Sequence, residues 1–244
     1  MNYSDEKTIP IRYGILLLIV FTVFAAGCGK APEKTIIKPD EIAFRQYYPL
    51  AENAVWKHQW EDNRGDRWFG ALAVLQAQTN SGSHVYIIAD STERYSEVSV
   101  SYSAYMWDDQ GLKHLYRVNS NGDSTTFTPA RLVLPSVLKV NQSVETFYHF
   151  DVYPGSGGNM YSGDVKQIQK LVSVSGLQTP FGKWDNTALV ETVRTDNFSN
   201  GSATERRSAA WYARNTGPVQ ITTGIPPASA DFQGDTIGYL MTDK

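Results

Sequence analysis

The sequence predicts an all-β fold: an antiparallel meander forming a curved sheet, half-barrel or barrel, behind an N-terminal signal and tether. Three observations carry this. Apolar and polar residues alternate with period two, turn-forming clusters recur at short intervals, and no helix-period segment of useful length interrupts them. Without helical crossovers, parallel pairing is disfavoured and neighbouring strands are expected to run antiparallel.

Residues 1–27 have the order of an export signal. Lys7 and Arg12 precede an apolar run from Ile15 to Ala26 that ends in small residues. A transmembrane helix needs about 20 apolar residues, and this shorter run is followed by Gly27, Cys28, Gly29, Lys30 and Pro32. Cleavage is therefore expected.

The boundary Ala25-Ala26-Gly27-Cys28 resembles the lipobox of bacterial lipoprotein signals, with alanine at position 25 in place of the usual leucine. The resemblance implies cleavage before Cys28 and diacylation of its thiol. Cys28 is the only cysteine in the chain, so it is the predicted lipidation site and the membrane a predicted partner. Each buried methylene contributes about 0.8 kcal/mol, so two or three acyl chains make a stable anchor. Once lipidated, the mature chain has no free thiol and no disulfide, and its stability must come from a core. The alternative is an ordinary signal cut near Ala26 with Cys28 incidental. Gly29 after the cysteine, where aspartate could stand, resembles lipoproteins sent onward in enteric bacteria. That implies the periplasmic face of the outer membrane in a cell with two membranes.

Residues 28–39 are polar, contain Pro32 and Pro39, and read as a tether with a reach of at most about 40 Å. Residues 40–244 form the predicted β-rich domain, opened by a short helical turn from Lys38-Pro39-Asp40 through Phe44. Strands are expected at Val55 to Trp60, Arg67 to Gln78, His84 to Asp90, Glu97 to Met106, Leu112 to Val118 and Ser124 to Thr128. The second half adds Ser143 to Phe150, Asp164 to Ser175, Asn186 to Asp196, Ala203 to Tyr212, Val219 to Thr223 and Thr236 to Thr242. The clearest is Glu97 to Met106, where Val98, Val100, Tyr102, Ala104 and Met106 alternate with Ser99, Ser101, Ser103 and Tyr105. Asn63-Arg64-Gly65-Asp66, Asn80-Ser81-Gly82-Ser83, Asp108-Asp109-Gln110-Gly111 and Asn119-Ser120-Asn121-Gly122-Asp123 supply turns.

A faint internal repeat relates Leu50-Ala51-Glu52-Asn53, followed by Trp56, to Leu138-Lys139-Val140-Asn141, followed by Val144. The two lie 88 positions apart, and each launches a strand. Three further stretches together resemble a broad group of uncharacterised bacterial envelope lipoproteins. They are Tyr48-Pro49-Leu50 with Asn53 and Trp56; Thr179-Pro180-Phe181-Gly182-Lys183-Trp184; and Trp211-Tyr212-Ala213-Arg214 with Gly217-Pro218-Val219. Asn53 stands where that group has glycine, and Ala54 where it has asparagine. The resemblance implies a β-rich half-barrel and an envelope location, and brings no catalytic set with it.

Charge and motifs exclude several chemistries. Removing residues 1–27 takes away Lys7, Arg12, Asp5 and Glu6 and leaves the net charge at −3, with no basic footprint for nucleic acid. Gly122-Asp123-Ser124 has the letters of a hydrolase segment but lies in a predicted hairpin turn, and no Gly-x-Ser-x-Gly occurs. His58, His84, His114 and His149 are dispersed, without the paired spacing of a zinc helix, and no metal is expected. Asn119-Ser120-Asn121-Gly122-Asp123 lacks the downstream glutamate of a calcium loop, and Gly155-Ser156-Gly157-Gly158 precedes no helix that could cradle phosphate. No catalytic residue and no cofactor are predicted.

The compositional excess is aromatic: Trp56, Trp60, Trp68, Trp107, Trp184 and Trp211, with many tyrosines. Most are expected to pack a core. Trp56, His58 and Trp60 share one face of a regular strand and are the candidate contacts for a ligand or partner. The expected function is a non-catalytic, membrane-anchored envelope binding or scaffold domain with a protein partner. The alternatives are a periplasmic carrier of lipid or another hydrophobic ligand, and a hydrolase acting on envelope polymer.

Overall fold

The computed structural model describes residues 41–80, 83–158, 160–224 and 235–241; the export signal, Cys28 and the tether lie outside the described residues. Fourteen strands follow one another: β1 (Glu41–Ala43), β2 (Val55–Asp62), β3 (Arg67–Asn80), β4 (Ser83–Arg94), β5 (Glu97–Trp107), β6 (Gly111–Val118), β7 (Ser124–Pro135), β8 (Val137–Lys139), β9 (Ser143–Tyr153), β10 (Tyr161–Thr179), β11 (Gly182–Phe198), β12 (Ala203–Ala213), β13 (Gly217–Thr223) and β14 (Thr236–Leu240). Twelve of them form a closed antiparallel barrel in chain order from β2 to β14, with β8 left out. The sheet closes where β14 pairs with β2, with Leu240 opposite His58 and Thr236 opposite Asp62. The fold is all-β and antiparallel, and the half-barrel of the resemblance is here a full circuit.

The N-terminal end differs from the expected helical turn. Glu41, Ile42 and Ala43 are extended and pair with Lys139, Leu138 and Val137 of β8, and only Phe44–Gln46 winds into a single 3-10 turn. The ladder with β8 satisfies backbone groups that an isolated helical turn would leave open. This segment stoppers one end of the barrel. Phe44, Tyr47 and Tyr48 are buried in a cluster with Trp107, Leu112, Leu134, Leu138, Leu171 and Tyr212. Phe44 meets Tyr47 and Tyr212 at ring-centroid distances of 6.1 and 6.2 Å.

The internal repeat corresponds to a repeated turn. Asn53 and Asn141 both take positive φ, 63° and 66°, a conformation asparagine tolerates better than most residues. Asn53 N–H donates to Val74 O (2.9 Å), and Asn141 N–H to Leu171 O (2.7 Å). In both cases the strand that accepts the bond carries an irregularity just beyond, at Val74/Gln76 on β3 and at Leu171/Ser173 on β10. The same hook thus opens two successive runs of six barrel strands.

Strand β7 behaves as two halves. Ser124 to Thr128 pair with β9, but Pro129 has no N–H and the ladder stops there. Beyond it, side chains of β10 take over the bonding: Gln167 Nε2 donates to Leu132 O (2.6 Å) and Gln169 Nε2 to Val133 O (2.5 Å).

Candidate functional site

Alternation and register define the inward face. On β10, buried Val165, Gln167, Gln169 and Leu171 alternate with more exposed Asp164, Lys166, Ile168 and Lys170. The register aligns Tyr148 of β9 and Asp196 of β11 with Val165, and Arg194 with Gln167. On β5 the alternation is present but faces the other way from the core rule. Ser101 and Ser103 are 6% and 7% exposed, whereas Val98 and Tyr102 on the apolar side are 66% and 44% exposed. The interior on this side of the barrel is polar.

A cavity of about 170 Å³ occupies that interior, lined by Tyr48, Leu72, Ile88, Asp90, Ser103, Tyr105, His114, Arg117, Arg131 and Val133. Tyr48 belongs to the stopper, so the cavity lies directly above it. Arg117 donates to Ser101 Oγ (2.9 Å), and Arg131 Nε donates to Gln167 Oε1 (3.1 Å). Among the described residues neither guanidinium has a carboxylate within ion-pair distance. Asp196, buried nearby, is taken by Arg194, whose Nε lies 2.5 Å from it, with Arg206 at 4.0 Å.

The site's titration follows from its burial. Desolvation raises the Asp90 carboxyl above its ordinary value, opposed by the charge of Arg117. Burial first, and then the positive charges of Arg131 and Arg117, bring His114 down to about 3, so the ring is neutral at physiological pH. Its imidazole stacks on Tyr105 (4.5 Å) and tilts against Phe127 (4.8 Å). His114 Nε2, Gln169 Oε1 and Tyr148 Oη are buried without a hydrogen-bond partner. Burial also raises Tyr48 and Tyr105, which therefore remain hydroxyl donors.

The predicted trio on β2 does share the inward face, but it belongs to the wall. Trp56 Nε1 donates to Thr216 O, and its ring packs where a Cβ on Gly217 (φ +109°) would sit. His58 Nε2 lies 3.3 Å from Pro218 O, and burial lowers its pKa. The Trp60 ring fills the space beside Gly70 and Gly238, where added Cβ atoms would approach it to 2.8 and 2.7 Å. None of the three lines the 170 Å³ cavity. Asp90, Arg117 and Arg131, which do, were not singled out by the sequence. Their signal is one of parity: Asp90 and Arg117 lie across from Ser101 and Ser103 on β5, the polar side of an alternating strand.

The other sequence candidates have structural roles. Asp123 accepts from Asn119 Nδ2 and from Gly155 N–H, both at 2.9 Å, and so pins the β6–β7 turn to the β9–β10 loop. His149 lies on β9 between Asp164 (2.8 Å) and Asp151 (3.3 Å), and the Asp164 bond raises its pKa. Outside the barrel, Phe69, Val98, Tyr102 and Tyr116 on β3, β5 and β6 leave an exposed apolar face.

Fold and site together define a closed twelve-stranded antiparallel barrel, stoppered at one end, with a charged interior cavity. No family model matches the chain, and no curated protein matches it. Solved structures similar to it include a protein from Bacteroides fragilis, inferred to be exported and described as having a YmcC-like fold. It is 10% identical with a TM-score of 0.46, over 79% of this chain and 96% of that one. A second, inferred to be a lipoprotein, comes from Parabacteroides distasonis: 11% identity, TM-score 0.45, 80% of this chain and 96% of that one. The hypothetical lipoprotein YmcC from Escherichia coli aligns over 99% of both chains at 8% identity and a TM-score of 0.39. These likenesses are loose, and the fold assignment rests on the strand pairing itself.

Proposed function

We propose that the chain is an envelope lipoprotein, held to a membrane through Cys28, whose barrel is a non-catalytic binding module with its ligand site in the lumen. The anchor is supported by the lipobox-like boundary and the single thiol. The binding reading is carried by one observation: a cavity of about 170 Å³ above the stopper, lined by Asp90, Arg117 and Arg131 together with His114, whose buried Nε2 has no hydrogen-bond partner. Because the lining is charged, it favours a polar ligand over the lipid of a hydrophobic carrier.

Two measurements test this. Replacing Cys28 with Ser should release the protein from membranes or leave the uncut precursor, and unchanged fractionation with unchanged acyl labelling would remove the anchor. Mass spectrometry of extracts from the purified wild-type protein should find a small polar molecule; recovery of lipid alone would favour the carrier. The apolar outer face at Phe69, Val98, Tyr102 and Tyr116 favours a second reading, docking of a protein partner. A photo-crosslinker at position 102 in intact cells would capture it.

A further inference from the structure

We propose that the lumen cavity binds a small oxyanion, carboxylate or phosphate, between Arg117 and Arg131; this rests on the reading of the lumen as the binding site. The argument begins with charge. The cavity lining contains two guanidinium groups and one carboxylate, Asp90. Neither arginine is paired with that carboxylate at ion-pair distance, and Asp196, the next acid, is held by Arg194. Two guanidinium groups against one carboxylate give the lining an excess of positive charge at neutral pH. Neither charge is neutralised by an ion pair among the described residues, so an anion held between the two guanidiniums supplies the missing partner.

The donors have the right character. Each guanidinium presents a planar fork of N–H groups, and each donates a side-chain hydrogen bond within the protein, Arg117 to Ser101 and Arg131 to Gln167. Ser103, Tyr48 and Tyr105 add hydroxyls to the same lining. Charge-assisted bonds from arginine to a carboxylate or phosphate are about twice as strong as neutral ones. A hydrocarbon ligand would satisfy none of the remaining guanidinium N–H groups. The acceptors in the lining are fewer: Asp90 and neutral His114, whose Nε2 has no partner.

The route in is also on this side. Arg117 is exposed although it lines the cavity, so the site communicates with solvent near the β6–β7 turn. In an up-and-down barrel that turn lies at the end opposite the stopper.

The test is calorimetric titration of the full mature protein in detergent, at low salt, with inorganic phosphate, succinate and glycerol as probes. Phosphate or succinate should bind, and which of them binds more tightly identifies the oxyanion. Arg131→Met should weaken that binding roughly 10- to 100-fold, as expected for a lost charge-assisted bond. Asp90→Asn should strengthen it, a change of opposite sign that damage to the fold would not produce. Anion binding insensitive to Arg117→Met and Arg131→Met overturns the proposal. Binding of glycerol without either anion overturns the anion assignment and keeps the lumen as the site. Binding of none of the three overturns both.

Discussion

Acidification tests the lumen through a single ring. His114 lies between Tyr105 and Phe127, and burial followed by the charges of Arg131 and Arg117 lowers its pKa from 6.5 to about 3. Between those two values the unfolded chain binds a proton that the folded chain does not. Stability therefore falls as pH drops below the unfolded value and stops falling only near the folded one. At pH 4 this one group should have cost about 3 kcal/mol, each pKa unit being about 1.4 kcal/mol. The assay is urea unfolding followed by tryptophan fluorescence at pH 7 and pH 4, on wild type and His114→Phe. Phenylalanine keeps a flat ring between Tyr105 and Phe127 and cannot titrate. The variant should lose about 3 kcal/mol less than wild type across that interval. His58, lowered by burial, and His149, raised by Asp164, titrate in both proteins and cancel in the comparison. Equal losses in the two proteins would show that His114 is not held neutral by the lumen, and the account of its electrostatics would fall.

Two further outcomes concern the structure around the cavity. Phe44→Ala should destabilise the barrel by about 3–5 kcal/mol, the usual range for emptying a buried phenylalanine site; a denaturation midpoint matching wild type would mean the stopper contributes nothing. Asp196→Ala leaves Arg194 without its buried partner and should cost about 3–5 kcal/mol. The double change Arg194→Met with Asp196→Leu should recover most of that loss in thermal melts, and a double variant as unstable as the single one would contradict the ion-pair explanation.

The strand content was legible because period-two alternation and turn chemistry are local. All twelve expected strands match barrel strands over the described residues, which exclude Thr242 at the end of the last one, although β7, β10 and β11 extend well past the expected ends. Closure was not legible, because the pairing of β14 with β2 is a relation between distant segments that leaves no local pattern. The 3-10 stopper was misread for a similar reason: Glu41 to Ala43 are extended because β8 pairs with them. The cavity lining was not legible because alternation alone does not say which side of a strand faces the interior. On β5 Ser101 and Ser103 are buried, and Val98 and Tyr102 face solvent. A twelve-stranded barrel is too wide for wall side chains alone to fill, and its lumen can hold polar groups. Trp56, His58 and Trp60 were correctly placed on one face, yet their rings fit against Gly217, Pro218, Gly70 and Gly238 and complete the wall.

The seam between β14 and β2 has a consequence in time. Its partners, such as Leu240 and His58, are separated by nearly the whole described chain, so this pairing carries the largest loop-closure entropy in the barrel. While a chain is being made or moved from its N-terminus, β2 has β3 on one side and an unpaired row of backbone groups on the other. Such an edge can recruit foreign strands. It is covered only when Thr236 to Leu240 arrive and Met241 N–H reaches Lys57 O at 2.8 Å. Thr236 to Met241 thus act as a latch, and a barrel without them leaves two open edges, on β2 and on β13.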